Sequence, residues 1–176
     1  MHNVNASKPS LAHSGLRWLW LALVFLVLDQ ASKLYVIANF NLYESINVMP
    51  MFNLTYVRNE GAAFSFLADS GGWQRWFFTA IAITISGVLL YWLRGLRANE
   101  KLMSIAYSLV LSGAIGNLID RVSYGYVVDF LDVYYDSYRW PAFNIADAAI
   151  CIGAALIIYD AFTNKTDESK AKETTS

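Results

Sequence analysis

Asn144 and Asp147 lie at the start of an apolar run that reaches Tyr159, which puts an amide and a carboxyl inside a segment of membrane-spanning character. An aspartate near the middle of such a helix costs at least about 2.5 to 3.5 kcal/mol, so a functional role is the default hypothesis for it and its partner has to be found. Three more acids share that setting. Asp29 and Lys33 are four apart with the acid first, the order in which two charges neutralise each other on one helix face. Asn117 and Asp120 are three apart, and Arg121 lies four from Asn117, so an amide, an acid and a base point toward one region. Asp129 interrupts the apolar stretch 126–132, whose pattern suits a segment dipping back toward the bilayer and carrying Asp129 to Asp147.

Two carboxyls in a low-dielectric site do not both ionise easily, so they share a proton: one acts as base on a water while the other donates to the carbonyl under attack. This is peptide hydrolysis with neither metal nor covalent intermediate. The same acids are also compatible with a purely structural set of buried carboxyls, and with a small membrane protein that translocates protons or ions. Other chemistries fit less well. Both histidines, His2 and His13, stand in the polar N-terminal stretch, which leaves a Cys-His enzyme without its base. Ser32 adjoins Lys33, and adjacent residues on a helix do not face each other, which argues against a serine-lysine pair. A metal site built from Asp29, Asp120, Asp129 and Asp147 would be all oxygen, suited to magnesium rather than zinc, and none is expected.

The elements that position these residues follow from hydropathy. The chain has 176 residues, 56% of them hydrophobic, which fits one small membrane domain. Its net charge of -1 gives no footprint for nucleic acid. Four transmembrane helices are expected over about 16–37, 73–93, 102–119 and 141–162, after a flexible tail at 1–15 and before a disordered one at 163–176. The fourth is expected to begin near Pro141, a residue suited to a first helical turn. Phe52, Leu54 and Tyr56 alternate with Asn53, Thr55 and Val57, which predicts a short half-buried strand within 38–72, ended by the turn signal Asn59-Glu60-Gly61. The fold class is therefore an α-helical membrane protein with a small β-rich extramembrane segment. Ser112, Gly113 and Gly116 are small enough to let a neighbouring helix approach the third span. Asp132 and Asp136, among Tyr134, Tyr135 and Tyr138, read as ordinary interfacial residues.

Lys8, Arg17, Arg94, Arg97, Lys101, Lys165, Lys170 and Lys172 flank the spans so that both termini and the middle loop belong in the cytoplasm, with 38–72 and 120–140 outside. Depth then decides which groups can meet. At 1.5 Å per residue Asp147 lies about 9 Å below the outer end of its helix, Asp29 about 18 Å and Asn117 about 22 Å above the inner ends of theirs, in a core about 30 Å thick. All three share the outer half of the membrane.

The combination of Asp29-Gln30-x-Ser32-Lys33, Asn59-Glu60-Gly61-Ala62-Ala63-Phe64, Gly116-Asn117-x-x-Asp120-Arg121, Val128-Asp129-Phe130 and Phe143-Asn144-x-Ala146-Asp147 resembles the bacterial lipoprotein signal peptidases, the signal peptidase II family. The resemblance runs from about residue 16 to residue 160. It implies an aspartyl endopeptidase of the bacterial cytoplasmic (inner) membrane, with its active site near the outer face, that removes signal peptides from diacylglyceryl-modified prolipoproteins by cleaving before the lipidated cysteine. It also implies contact with membrane lipid, inhibition by cyclic peptide antibiotics such as globomycin, and no cofactor. By motif position the resemblance implies that Asp129 and Asp147 are the catalytic pair. It implies that Asn59, Asn117, Arg121 and Asn144 hold the substrate or orient that pair, and that Asp29, Lys33 and Asp120 support the site structurally.

Overall fold

Long apolar stretches can leave water only as helices with every backbone group paired internally, and four of them dominate the computed structural model of the chain, which describes residues 10, 13–61 and 73–173, with side chains as far as Thr163. A short 3-10 turn at Gly15–Trp18 leads into α1 (Leu19–Asn39). Two strands follow, β1 (Ser45–Met49) and β2 (Phe52–Asn59), then α2 (Trp73–Gly95) and α3 (Lys101–Tyr124). The chain continues as β3 (Val127–Tyr135), β4 (Tyr138–Arg139) and α4 (Ile145–Glu173). All four helices are long and apolar enough to cross a membrane. Leu23, Val27 and Leu34 of α1 and Ile83 and Val88 of α2 face outward, as lipid-facing positions do. On α2, Trp73 and Trp76 are exposed at one end and Tyr91 and Trp92 at the other, where rings anchor a helix at two interfaces.

The third helix is the axis of the bundle. It packs against α1, α2 and α4, and its small residues make the closest approaches. An added Cβ on Gly113 would run into the Ala146 carbonyl oxygen and stand 2.6 Å from Ile150 Cγ1, and one on Gly116 would stand 2.5 Å from Asp29 Oδ2. These glycines therefore set how near α1 and α4 come to α3, as expected for small residues at membrane helix contacts.

The strands form one antiparallel sheet of order β1-β2-β3-β4 at one end of the bundle. Val36 of α1, Tyr56 of β2 and Val128 and Phe130 of β3 form the apolar cluster that seats it there. At the opposite end Leu89, Leu93 and Leu111 form a second cluster, and the loop after α2 meets the N-terminal segment: Gly15 donates its N–H to the Leu96 carbonyl at 3.1 Å, and Ser14 pairs with Arg97.

Several boundaries differ from the sequence-based expectation. The tail predicted at 1–15 ends earlier, since Ser14 and Gly15 are buried against the loop after α2. Within stretch 126–132 the chain from Val127 on is the start of β3 rather than a dipping loop, because its backbone groups are taken up by β2 on one side and Phe143 on the other. The fourth helix begins at Ile145, not near Pro141: Phe143 exchanges N–H and carbonyl with Leu131 at 3.0 and 2.8 Å, so the chain just before it is extended. That helix also continues to Glu173, past the predicted end at 162, through a stretch rich in good helix formers. The alternation in β2 changes phase: Asn53 and Tyr56 are buried, three apart, because an irregularity interrupts its pairing with β3 between Leu54 and Val57. Asp132 is buried, not interfacial. Ala62, Ala63 and Phe64 of the second motif lie outside the described residues.

Replacing Gly113 with Val should lower the stability of the purified protein in detergent by about 1 to 3 kcal/mol, the usual penalty of overpacking, because the Ala146 backbone must move away. An unchanged melting temperature would show that α4 does not depend on this contact.

Candidate active site

Lys33 is the natural starting point, since an ammonium in a bundle core can only donate and must find acceptors. Only 1% of it is exposed, and its Nζ lies 2.9 Å from Asp29 Oδ2, 2.9 Å from Asp120 Oδ2 and 3.1 Å from Asn117 Oδ1. The two carboxylates use their remaining acceptor capacity on backbone. Asp29 Oδ1 accepts the Ala146 N–H at 2.8 Å, and Asp120 Oδ2 accepts the Val128 N–H at 3.0 Å. Each thus holds the N–H of the residue immediately before one of the two remaining acids, Asp147 and Asp129. Gln30 Nε2 ties them together, donating to Asp29 Oδ2 at 3.1 Å, to Asp120 Oδ1 at 3.0 Å and to the Gly116 carbonyl at 3.2 Å.

The same donor logic orients three amides. Asn117 must turn its oxygen toward Lys33, so its Nδ2 is left to donate to Asp147 Oδ1, at 2.7 Å. Asn144 caps α4: its Oδ1 accepts the Asp147 N–H at 2.9 Å while Asp147 Oδ2 accepts the Asn144 N–H at 3.3 Å. This reciprocal pair at the N-cap and third helical position is a capping box with Asp in place of Glu. With its oxygen so engaged, Asn144 donates Nδ2 to Asp129 Oδ1 at 2.7 Å. Asn59 accepts the Gly61 N–H on Oδ1 at 2.9 Å and donates Nδ2 to Asp129 Oδ2 at 3.0 Å. Asp129 and Asp147 are therefore each held by oriented N–H donors, and Asn144 touches both.

Burial pushes the Asp129 carboxyl up from the ordinary carboxylate range to about 7, and the nearby charge of Asp147 adds to this. The hydrogen bonds from Asn59 and Asn144 and the Lys33 ammonium pull the other way. Beside Asp129 opens a cavity of about 680 Å³ between sheet and helices, bordered by Asn59, Arg58, Arg75 and Tyr126 among others. An acid whose titration is raised toward neutrality, beside a second acid and a cavity, suits general acid-base work.

The nine residues singled out from the sequence do not all meet. Eight form this one network, and Arg121 stands apart: its Nη1 donates to the Asn117 carbonyl at 3.3 Å, its guanidinium lies 5.3 Å from the centre of the Phe78 ring, and it pairs with neither acid among the described residues. Two further contributors are not singled out by the sequence reading. Gln30 precedes Lys33 by three and shares its face, a signal present in the sequence. Asp132, by contrast, meets partners distant in the chain, and no local pattern announces it.

Leaving Asp29 and Asp120 together without their cation should destabilise the protein strongly. For Lys33→Met a loss of about 3 to 5 kcal/mol is expected in thermal unfolding in detergent, and a melting temperature equal to the parent's would contradict the network.

Residues 21–163 match the family model described as Signal peptidase (SPase) II. The chain is 60% identical over 153 residues to the lipoprotein signal peptidase of Pseudoalteromonas translucida (strain TAC 125), covering 87% of this chain and 92% of that protein. It is 58% identical over 158 residues to that of Shewanella amazonensis (strain ATCC BAA-1098 / SB2B), covering 90% and 94%. Among solved structures, a bacterial membrane enzyme determined in meso at 2.3 Å resolution superposes with a TM-score of 0.77 at 34% identity, over 88% of this chain and 94% of that one. The predicted fold class and family resemblance are both borne out, and with the matches spanning nearly all of the membrane bundle, this chain belongs to the signal peptidase II family of membrane peptidases.

Proposed function

We propose that the protein removes signal peptides from diacylglyceryl-modified prolipoproteins, cutting before the lipidated cysteine, with Asp129 and Asp147 as an acid-base pair. The names of its relatives support the reaction, and one observation carries the assignment of the pair: three amides, each forced by an obligate donor to present its N–H groups, converge on these two carboxyls and no others. The unprotonated carboxyl takes a proton from water as the water oxygen attacks the scissile carbonyl carbon. The protonated one gives its proton to the carbonyl oxygen. On collapse the carboxyl that took the water's proton passes it to the departing amide nitrogen, while the other takes a proton back from a hydroxyl of the tetrahedral species, so both acids are restored without a covalent intermediate.

Asn59, Asn117 and Asn144 orient the pair in this reading, while Asp29, Lys33 and Asp120 hold the backbone that carries it. Arg121, which contacts neither acid, is left for the substrate. The protein lies in the bacterial cytoplasmic (inner) membrane. Both termini belong in the cytoplasm and the site near the outer face in this reading, which is supported by the basic residues Arg17, Arg94, Arg97 and Lys101 at the helix ends opposite the sheet. Membrane lipid surrounds the outward apolar faces. A cyclic peptide antibiotic of the globomycin type would compete with substrate at the cavity beside Asp129.

The test is cleavage of a lipidated prolipoprotein by the purified protein in the presence of a chelator. The parent should cleave, and Asp129→Asn and Asp147→Asn should each lose a factor of about 10² to 10⁴, the usual contribution of general acid-base catalysis, while remaining folded. Near-normal cleavage by either variant would overturn the assignment.

A further inference from the structure

Asp132 is a buried acid that the reaction does not use. It is 2% exposed, and its Oδ2 accepts three donors: Asn53 Nδ2 at 3.2 Å, Thr55 Oγ1 at 2.8 Å and Arg139 Nη1 at 2.7 Å. Its Oδ1 is buried with no hydrogen-bond partner among the described residues. A carboxylate placed at such expense on a small sheet calls for a reason.

The reason lies in the register of β2 on β3. Near Asp132 the pairs are Asn53 with Asp132 and Leu54 with Leu131, whereas near the site they are Val57 with Asp129 and Asn59 with Val127. Thr55 and Tyr56 thus stand opposite Phe130 alone, a one-residue bulge. Without it Tyr56 would pair with Asp129 and Asn59 with Tyr126. Paired residues share a face of a sheet and neighbours along a strand alternate, so Asn59 would then project from the face opposite Asp129. The hydrogen bond from Asn59 to Asp129 exists only because of the bulge. Asp132 grips it: of its three donors, Asn53 is the last residue but one before the bulge and Thr55 lies within it. Thr55 is also held from β1 by Ser45, Oγ to Oγ1 at 2.7 Å, and Arg139 closes the grip from β4.

We propose that Asp132 is a positioning residue, which with Asn53, Thr55 and Arg139 locks the β2 bulge and so puts Asn59 on the face of Asp129. The consequence for activity rests on the reading of Asp129 as a reacting group; the register claim does not.

Two measurements separate them. In a Cys151→Ser background, cysteines at Asn59 and Val127 face each other and should cross-link on oxidation. Adding Asp132→Leu should abolish the cross-link, whereas Asp132→Asn, which keeps an acceptor for Asn53 and Thr55, should preserve it. Undiminished cross-linking with Asp132→Leu would overturn the proposal. In the cleavage assay, with Asn59 and Val127 native, Asp132→Leu should lower kcat by about tenfold with KM little changed, and should add nothing further when Asn59→Ala is already present. Fully additive losses would overturn the coupling, and a lost cross-link with unchanged kcat would instead count against the role given to Asn59 and Asp129.

Discussion

A lysine ammonium has three donors and no acceptor, and the architecture of this site follows from burying one. Lys33 obliges Asp29 and Asp120 to approach it and obliges Asn117 to show it an oxygen. Each carboxylate then reaches the peptide N–H just ahead of Asp147 or Asp129. The cation therefore fixes Asp129 and Asp147 without touching either, and it does so from α1 while they are carried by β3 and α4. Glycines on α3 make the convergence possible, since Gly116 leaves room for the Asp29 carboxylate and Gly113 for the start of α4.

Such a network is weak evidence for stability as such. An apolar core of the same volume would often hold the helices together as well or better, because desolvating the charges opposes what their attraction returns. What the polar arrangement supplies is orientation. Asn59, Asn117 and Asn144 each have their oxygen claimed by a group that can only donate, so each has a single way to face, and each turns an N–H toward Asp129 or Asp147. Preorganised donors around a charge that must appear and disappear need not reorganise during reaction.

Much of this arrangement is legible in the amino-acid sequence. The four spans announce themselves as apolar runs of the right length, and the acids and amides announce themselves by their expense within those runs. What stays hidden is set by contacts distant along the chain. Stretch 126–132 reads as nearly continuous apolar residues, and periodicity cannot tell a buried strand from a dipping loop; pairing with β2 decides it. At the fourth helix two start signals compete, Pro141 and the Asn144-x-x-Asp147 capping box, and the box prevails because Phe143 is bound into the sheet by Leu131. The difference matters chemically, since it moves Asp147 from the second turn to the first and makes its neighbour Asn144 the N-cap. Asp132 reads as a surface acid because its partners Asn53 and Thr55 lie 79 and 77 residues away.

The proposed acid-base role of Asp129 and Asp147 requires that two buried carboxyls share one proton near neutrality, and the infrared carbonyl stretch of a protonated carboxyl tests that directly. In the purified protein, a carboxylic acid band assigned through Asp129→Asn should persist well above the ordinary carboxylate range and vanish near pH about 7. Because the charge of Asp147 holds the Asp129 carboxyl up, Asp147→Asn should shift the loss of that band to lower pH. Two carboxylates ionised throughout the neutral range, with no band to lose, would contradict the account.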